Sequence, residues 1–191
     1  MIMRVVLAIT GASGVIYGAR LLEELGKKGA EVILVVSDLG KKMLKSEADI
    51  EYEQLKRSTH ESFDNDDMFA PIASGSSHFD SMVILPCSLS TLAKIANGIA
   101  DDLITRSTLV AMKEKRKLII APREMPLDAI ALANMGRLAQ LGVVICPPAP
   151  GFYGKPESMD DMINFVVGRI MDLLGVDNNL YRRYDRKQEK V

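Results

Sequence analysis

RVVLAITGASG, residues 4–14, is a short apolar run, rich in β-branched residues, that stops at glycine. It passes directly into a helical stretch, Val15–Lys28, with Leu21, Leu22 and Leu25 on one face. A strand that turns into a helix through glycines opens a βαβ unit. The pattern then repeats outward. Glu31–Ser37 (EVILVVS), Ser81–Pro86 (SMVILP), Lys117–Ala121 (KLIIA) and Val143–Cys146 (VVIC) read as strands. Asp38–Ser46, Ser90–Asn97, Leu103–Lys115 and Leu127–Leu141 read as helices. Ser158–Leu174 is a long amphipathic helix with Met159, Met162, Ile163, Val166, Ile170 and Leu173 on one face;. Ser158 suits its N-cap, Asp160 and Asp161 its first turn, and Gly175 its end. Short, continuously apolar strands alternating with helices predict a mainly parallel sheet covered on both faces. Right-handed crossovers make it a doubly wound α/β fold, Rossmann-like or flavodoxin-like.

In such a sheet the ligand lies beyond the carboxyl ends of the strands. Thr10-Gly11, Ser37, Cys87-Ser88, Pro122-Arg123 and Pro147-Pro148 are therefore expected to line one crevice. Glu51–Ser77 reads as irregular apart from a short helix over Tyr52–Ser58, with a turn-rich acidic patch at Asp64–Asp67 and a flexible loop at Ser74–Ser77. Residues 1–176 are expected to form a single domain, and 177–191 a basic tail.

Bulk composition narrows the classes. The 24 Lys and Arg nearly cancel the 25 Asp and Glu, which argues against a general nucleic-acid binder;. No apolar run approaches the ~20 residues of a membrane span, and Met1–Thr10 reads as a strand instead of a signal peptide. A cytoplasmic protein is the expectation. Cys87 and Cys146 lack CxxC spacing and read as free thiols. His60 and His78 lack paired-ligand spacing, so no metal is expected.

The candidate site residues each admit a structural reading beside a chemical one. Gly11-Ala12-Ser13-Gly14 can bring bare N–H groups and the positive end of a helix to a phosphate, or serve packing alone. GxGxxG and GxxxxGK[ST] are both absent. The short-chain dehydrogenase pattern fails because Val15 stands where a glycine is required. Asp38 can bind a ribose or sit at the surface start of a helix. Ser88, Ser90 and Thr91 can cap a helix or bind phosphate. Arg123, held between Pro122 and Pro126, can grip a phosphate or a flavin rim, or pair with Glu124. Pro147–Pro156 (PPAPGFYGKP) can present Phe152 or Tyr153 to a ligand, or act as a spacer. Arg169 can snorkel from the edge of an apolar face, and Lys113 falls in a charged helix end.

Taken together, these segments resemble a known family. Gly11-Ala12-Ser13-Gly14, Ser74-Gly75-Ser76, Pro86-Cys87-Ser88, Leu103-Ile104-Thr105-Arg106, Pro122-Arg123-Glu124-Met125-Pro126 and Pro148-Ala149-Pro150-Gly151-Phe152-Tyr153 stand in the order and spacing of UbiX-type flavin prenyltransferases. Older descriptions call these phenylacrylic acid or 3-octaprenyl-4-hydroxybenzoate decarboxylases. The resemblance covers about Met3 to Leu174.

The resemblance implies a metal-independent enzyme that joins the dimethylallyl group of dimethylallyl phosphate to N5 and C6 of reduced FMN. The product, prenylated FMN, serves UbiD-type decarboxylases in routes such as ubiquinone biosynthesis. It implies FMN contacts at Gly11, Ala12, Ser13, Ser37, Ser88, Leu89, Ser90, Thr91 and Arg123. It places the prenyl phosphate at Tyr153 and Arg169, with Lys113, Arg106 and Glu124 in the same polar site. Glu47 matches an acid implicated in proton transfer, and Ser13 lies near the reacting face. Arg106, Lys113 and Arg169 can neutralise a leaving phosphate, apolar walls can shield an allylic cation, and Glu47 or the released phosphate can take the last proton. Family members assemble from trimers into a dodecamer with sites at subunit interfaces. One departure is plain: relatives often carry a tail tryptophan near the site, whereas this chain has none and Tyr184 stands there. Two other readings share the flavin: an FMN-dependent decarboxylase of the phosphopantothenoylcysteine type, and a non-enzymatic flavin carrier. The first helix lacks the histidine that the former uses.

Overall fold

The computed structural model describes residues 2–184. Six strands form one sheet in the order β3-β2-β1-β4-β5-β6, all pairs parallel: β1 Arg4–Ile9, β2 Glu31–Val36, β3 Glu61–Asp64, β4 Ser81–Cys87, β5 Lys117–Pro122 and β6 Val144–Ile145. This is the strand order of the Rossmann fold. The helices are α1 Val15–Lys27, α2 Asp38–Ala48, α3 Tyr52–Arg57, α4 Leu89–Ala96, α5 Leu103–Lys113, α6 Ala129–Gln140 and α7 Met159–Leu174.

The two faces of the sheet carry separate cores. One joins Val6, Ala8, Met82, Ile84 and Ile120 to α4, α5 and α6. The other joins Val5, Leu7, Ile9, Val83 and Ile119 to α1 and α7, with Leu44 of α2 and Leu55 of α3. Successive strand residues feed alternate cores because side chains alternate across a strand. That is why the central strands are apolar throughout. Arg20 ties α1 to α7, donating from Nη1 to Asn164 Oδ1 at 2.6 Å and from Nη2 to Asp160 Oδ1 at 3.0 Å. Ser158 caps α7 in a capping box with Asp161, and Gly175 ends the helix at φ 81°.

Strand β3 corrects the sequence reading, which left Glu61–Asp64 within an irregular region. ESFD is neither apolar nor regularly alternating. It is an edge strand, so one side has no ladder partner and most of it faces water. Its hold comes from β2, from Phe63 packed against the core, from Lys41–Asp64 at 2.9 Å, and from Arg4–Glu61 at 3.7 Å. A 3₁₀ turn, Pro71–Ala73, lies in the same region.

Helix α1 rests on the sheet with no clearance at Gly18. A Cβ there would sit 2.5 Å from the Leu85 carbonyl oxygen and 2.8 Å from Ile9 Cδ1. Alanine at Gly18 gains helix propensity but must push α1 off β1 and β4. Gly18→Ala is expected to destabilise the protein by roughly 1–3 kcal/mol, read as a lower urea midpoint. An unchanged midpoint would show that the contact relaxes freely.

Candidate functional site

The strand order reverses between β1 and β4, and the chain leaves these neighbours for opposite faces, α1 on one side and α4 on the other. A crevice must open at their carboxyl ends. Thr10 holds the two ends together. Its side chain is buried; Oγ1 donates to the Pro86 carbonyl at 2.9 Å and accepts from Ser88 N–H at 2.8 Å. The Thr10 N–H also reaches Pro86 O, at 3.2 Å. The sequence places Thr10 at the crevice as a strand end; its hold on β4 depends on β1 and β4 being neighbours, which residue spacing does not show.

The Gly11–Gly14 turn leaves this anchor. Gly14 adopts φ 94° at the N-cap of α1, a conformation that favours glycine;. No side chain caps α1, so the first-turn N–H groups are left without a side-chain partner, the arrangement that suits an anion;. Gly14 N–H itself donates to Glu47 Oε2 at 2.9 Å. Glu47, near the end of α2, also borders a cleft of about 440 Å³ shared with Ile16, Ala48 and the start of α7. Gly11 is closed on its other side by Leu39, whose Cγ would lie 2.4 Å from a Cβ. Ser37 caps α2 by accepting from Gly40 N–H at 3.1 Å.

Across the crevice, Ser88 caps α4. Its Oγ accepts from Thr91 N–H at 3.2 Å and lies 2.9 Å from Thr91 Oγ1. Leu89, Ser90 and Thr91 form the first turn of this helix. Arg123 follows β5, with its N–H bonded to Cys87 O at 3.1 Å and its side chain exposed. The expected alternative, an Arg123–Glu124 ion pair, is absent among the described residues; Glu124 Oε1 instead accepts from Met125 N–H at 3.1 Å. Burial pushes the Tyr17 phenol up, and the positive charge of Arg123 partly opposes this. Tyr17, on the first turn of α1, is thus close enough to Arg123 to feel its charge. Sequence reading passed over it, although an aromatic three residues beyond Gly14 shares the turn's face.

The remaining candidates lie elsewhere in the protomer. Arg106 is one turn into α5, where its Nε donates to Ala73 O at 3.0 Å. Lys113 ends the same helix, beside Gly75; a Cβ on Gly75 would lie 3.1 Å from Lys113 Nζ. Helix α5 starts beside Asn65, just past the carboxyl end of β3, and ends at Lys113, a short turn before Lys117 opens β5 at its amino end. A strand of this length spans about 20 Å, so one chain does not bring Lys113 to its own Gly11–Gly14 turn. Arg116 clasps the neighbouring loop through Gly75 O at 2.9 Å and Ser77 O at 2.6 Å.

Tyr153 and Arg169 belong to the opposite layer. Tyr153 meets Phe165 and Tyr184 edge-on, each with ring centroids 5.7 Å apart. Tyr184, expected in place of a tail tryptophan, therefore packs edge-on beside Tyr153, and both rings stay exposed. A cleft of about 300 Å³ opens between loop 151–157, α7 and residues 180–182. Burial raises the Cys146 thiol and Arg169 partly opposes it, which sets Arg169 near the end of β6. Arg169 Nη1 donates to Asp172 Oδ2 at 3.2 Å and to Tyr181 Oη at 3.3 Å. Tyr181 donates to Asp172 at 2.5 Å, and Arg183 pairs with both Asp172 oxygens. Burial alone would raise the Asp172 carboxyl, but the bonds from Arg183 and Tyr181 together hold it below its ordinary value. This cluster escaped the sequence reading, which saw only a basic tail; Asp172 three residues after Arg169 was the available signal. The tail's remainder, 185–191, lies outside the described residues.

Both cysteines are free. Among the described residues there is no group of three or more His, Cys, Asp or Glu side chains placed to hold a metal, and no helix is long and apolar enough to cross a membrane.

The flavoprotein family model matches residues 2–171. A flavin prenyltransferase UbiX from Methanocaldococcus jannaschii is 52% identical, over 95% of this chain and 98% of its own. The crystal structure of AnUbiX (PadA1) in complex with FMN and dimethylallyl pyrophosphate superposes with a TM-score of 0.95 at 38% identity, covering 97% of this chain and 98% of that one. A dodecameric FMN-dependent UbiX-like decarboxylase from Escherichia coli O157:H7 gives a TM-score of 0.94 at 38% identity, covering 96% and 100%.

Two outcomes follow from this geometry. Thr10→Val keeps the shape but orphans Ser88 N–H and leaves Pro86 O with only the backbone bond from Thr10 N–H, and is expected to cost about 1–3 kcal/mol in chemical unfolding; wild-type stability would show that water replaces the hydroxyl. Asp172 has a folded-state pKa below its ordinary 3.8. Its contribution is full above that ordinary value and is lost as pH falls through the depressed one. Hydrogen exchange of Leu180 and Tyr181 should therefore open in that acid range, after correction for intrinsic rates, and Asp172→Asn should remove the transition.

Proposed function

The chain belongs to the UbiX-type flavin prenyltransferases, within the flavoprotein family, and on that premise we propose that it transfers a dimethylallyl group from dimethylallyl phosphate to N5 and C6 of reduced FMN, making prenylated FMN. The observation that carries this reading is the uncapped start of α1, behind Gly11–Gly14, facing the start of α4 across the β1–β4 crevice. Two helix N-termini and a glycine turn fit an anionic nucleotide phosphate. Gly11, Ala12, Ser13 and Ser37 hold one side of FMN. Ser88, Leu89, Ser90 and Thr91 hold the other, and Arg123 lies at the rim.

Bound reduced FMN supplies the nucleophile. The protein's part is to bind the donor, to stabilise the departing phosphate and to move protons. Tyr153 and Arg169 grip the donor phosphate, and a neighbouring chain contributes Arg106 and Lys113. This division explains why α5 and α7 carry their cations on opposite layers of a protomer. Positive charge held at the leaving phosphate lowers the barrier to breaking the allylic C–O bond, because phosphate charge grows as the bond breaks. Glu47, positioned by the Gly14 N–H, accepts a proton after ring closure, while Ser13 and Glu124 orient groups at the reacting face. The chain works as a homo-oligomer, a dodecamer, in the cytoplasm, and its product passes to a UbiD-type decarboxylase.

Purified protein incubated anaerobically with reduced FMN and dimethylallyl phosphate is expected to yield a flavin heavier by one prenyl unit in mass spectrometry. Unmodified FMN alone, with either the mono- or the diphosphate donor, would sink the assignment. Arg169→Ala should abolish turnover while FMN stays bound; retained turnover would remove Arg169 from the donor site.

A further inference from the structure

The C-terminal segment after α7 folds back on that helix through a notch at Gly168. A Cβ on Gly168 would lie 2.5 Å from Tyr181 Cδ1 and 2.8 Å from Asn178 Oδ1. Asn178, itself buried, latches the segment by donating from Nδ2 to Gly168 O at 3.2 Å and to Asp172 Oδ1 at 2.9 Å. This fold-back delivers Arg183 to Asp172. The pair is two-pronged: Nη2 lies 2.7 Å from Oδ1 and Nη1 lies 3.0 Å from Oδ2. Tyr181 Oη donates to the same Oδ2. Arg169 reaches that crowded carboxylate with Nη1 only, at 3.2 Å. Among the described residues, no protein partner meets Arg169 Nη2 or Nε.

A lone carboxylate three residues from an arginine on one helix face would take a fork of two hydrogen bonds from it. Here Arg183 takes that fork instead. We propose that Arg183 is a positioning residue for the donor phosphate: by occupying Asp172 it leaves the Arg169 guanidinium to the phosphate. This rests on the reading of Arg169 as the phosphate ligand. The charge arithmetic agrees. Two arginines and one aspartate leave one net positive charge at the site; removing Arg183 leaves none, and Asp172 then captures Arg169.

The test is a mutant cycle on full-length protein, with dimethylallyl phosphate as the varied substrate and FMN binding measured separately. Arg183→Gln is expected to lower kcat/KM for the donor roughly three- to tenfold, the effect of weakening one charge-assisted contact at a half-exposed site, with FMN affinity unchanged. The double variant Arg183→Gln with Asp172→Asn is expected to recover wild-type kcat/KM to within about twofold, because the competing carboxylate is gone. A purely structural role for the pair predicts the opposite: a double variant as impaired as the single one, or worse. That result, or an Arg183→Gln enzyme with unchanged kcat/KM, overturns the inference. Arg169→Ala is the reference arm. If it leaves donor kcat/KM intact, the phosphate assignment itself falls; if it abolishes turnover while Arg183→Gln does nothing, only the positioning role falls.

Discussion

The buried hydroxyl of Thr10 is the constraint on which the rest of the site depends. Two parallel strands whose connections leave for opposite faces tend to splay at their carboxyl ends, since nothing crosses between them there. Thr10 crosses. It donates to Pro86 of β4 and accepts from Ser88, the cap of α4 just beyond it. The Gly11–Gly14 turn therefore starts from a fixed point, and so does the first turn of α4. Gly18 presses α1 onto Leu85 just below, so the direction in which α1 points its N-terminus is set by packing and not by the turn alone. Two helix ends then face one crevice.

The cations are organised by a different logic. Arg106 and Lys113 ride on α5, which shares its core with α4 and α6; Arg169 rides on α7, which shares its core with α1. The sheet stands between them. Each arginine has local partners: Arg106 donates to Ala73 O, and Arg169 reaches Asp172 and Tyr181 through Nη1 alone. A half-exposed ion pair of this kind contributes little to stability, so the Asp172 contact holds Arg169 only loosely.

How much of this was legible in the sequence depends on range. The apolar strands, the glycine turn, the caps at Ser158 and Gly175 and the doubly wound class follow from local pattern, because buried parallel strands must be apolar and helix ends must satisfy their own backbone. Strand β3 was not legible, since an edge strand held by Arg4, Lys41 and Phe63 needs no apolar run of its own. Ser88, Ser90 and Thr91 could be read as caps or as ligands for phosphate, and the structure makes Ser88 the cap of α4 with Thr91 as its partner; Ser37, legible only as a strand end, caps α2. Thr10 and the Asp172–Tyr181–Arg183 cluster were invisible for another reason. Their partners are brought near by strand order and by a fold-back of the chain, and neither is written in residue spacing.

The separation of α5 from α7 has a genetic consequence. In the proposed assembly each site borrows Arg106 and Lys113 from one copy of the chain and Arg169 from another. Two lesions, one on each helix, then damage different contributions to a site and not one shared machine. On that proposal, subunits carrying either lesion alone would be inactive, while mixed assemblies would contain some sites built from the two undamaged halves, and alleles that fail singly would complement one another in the same cell.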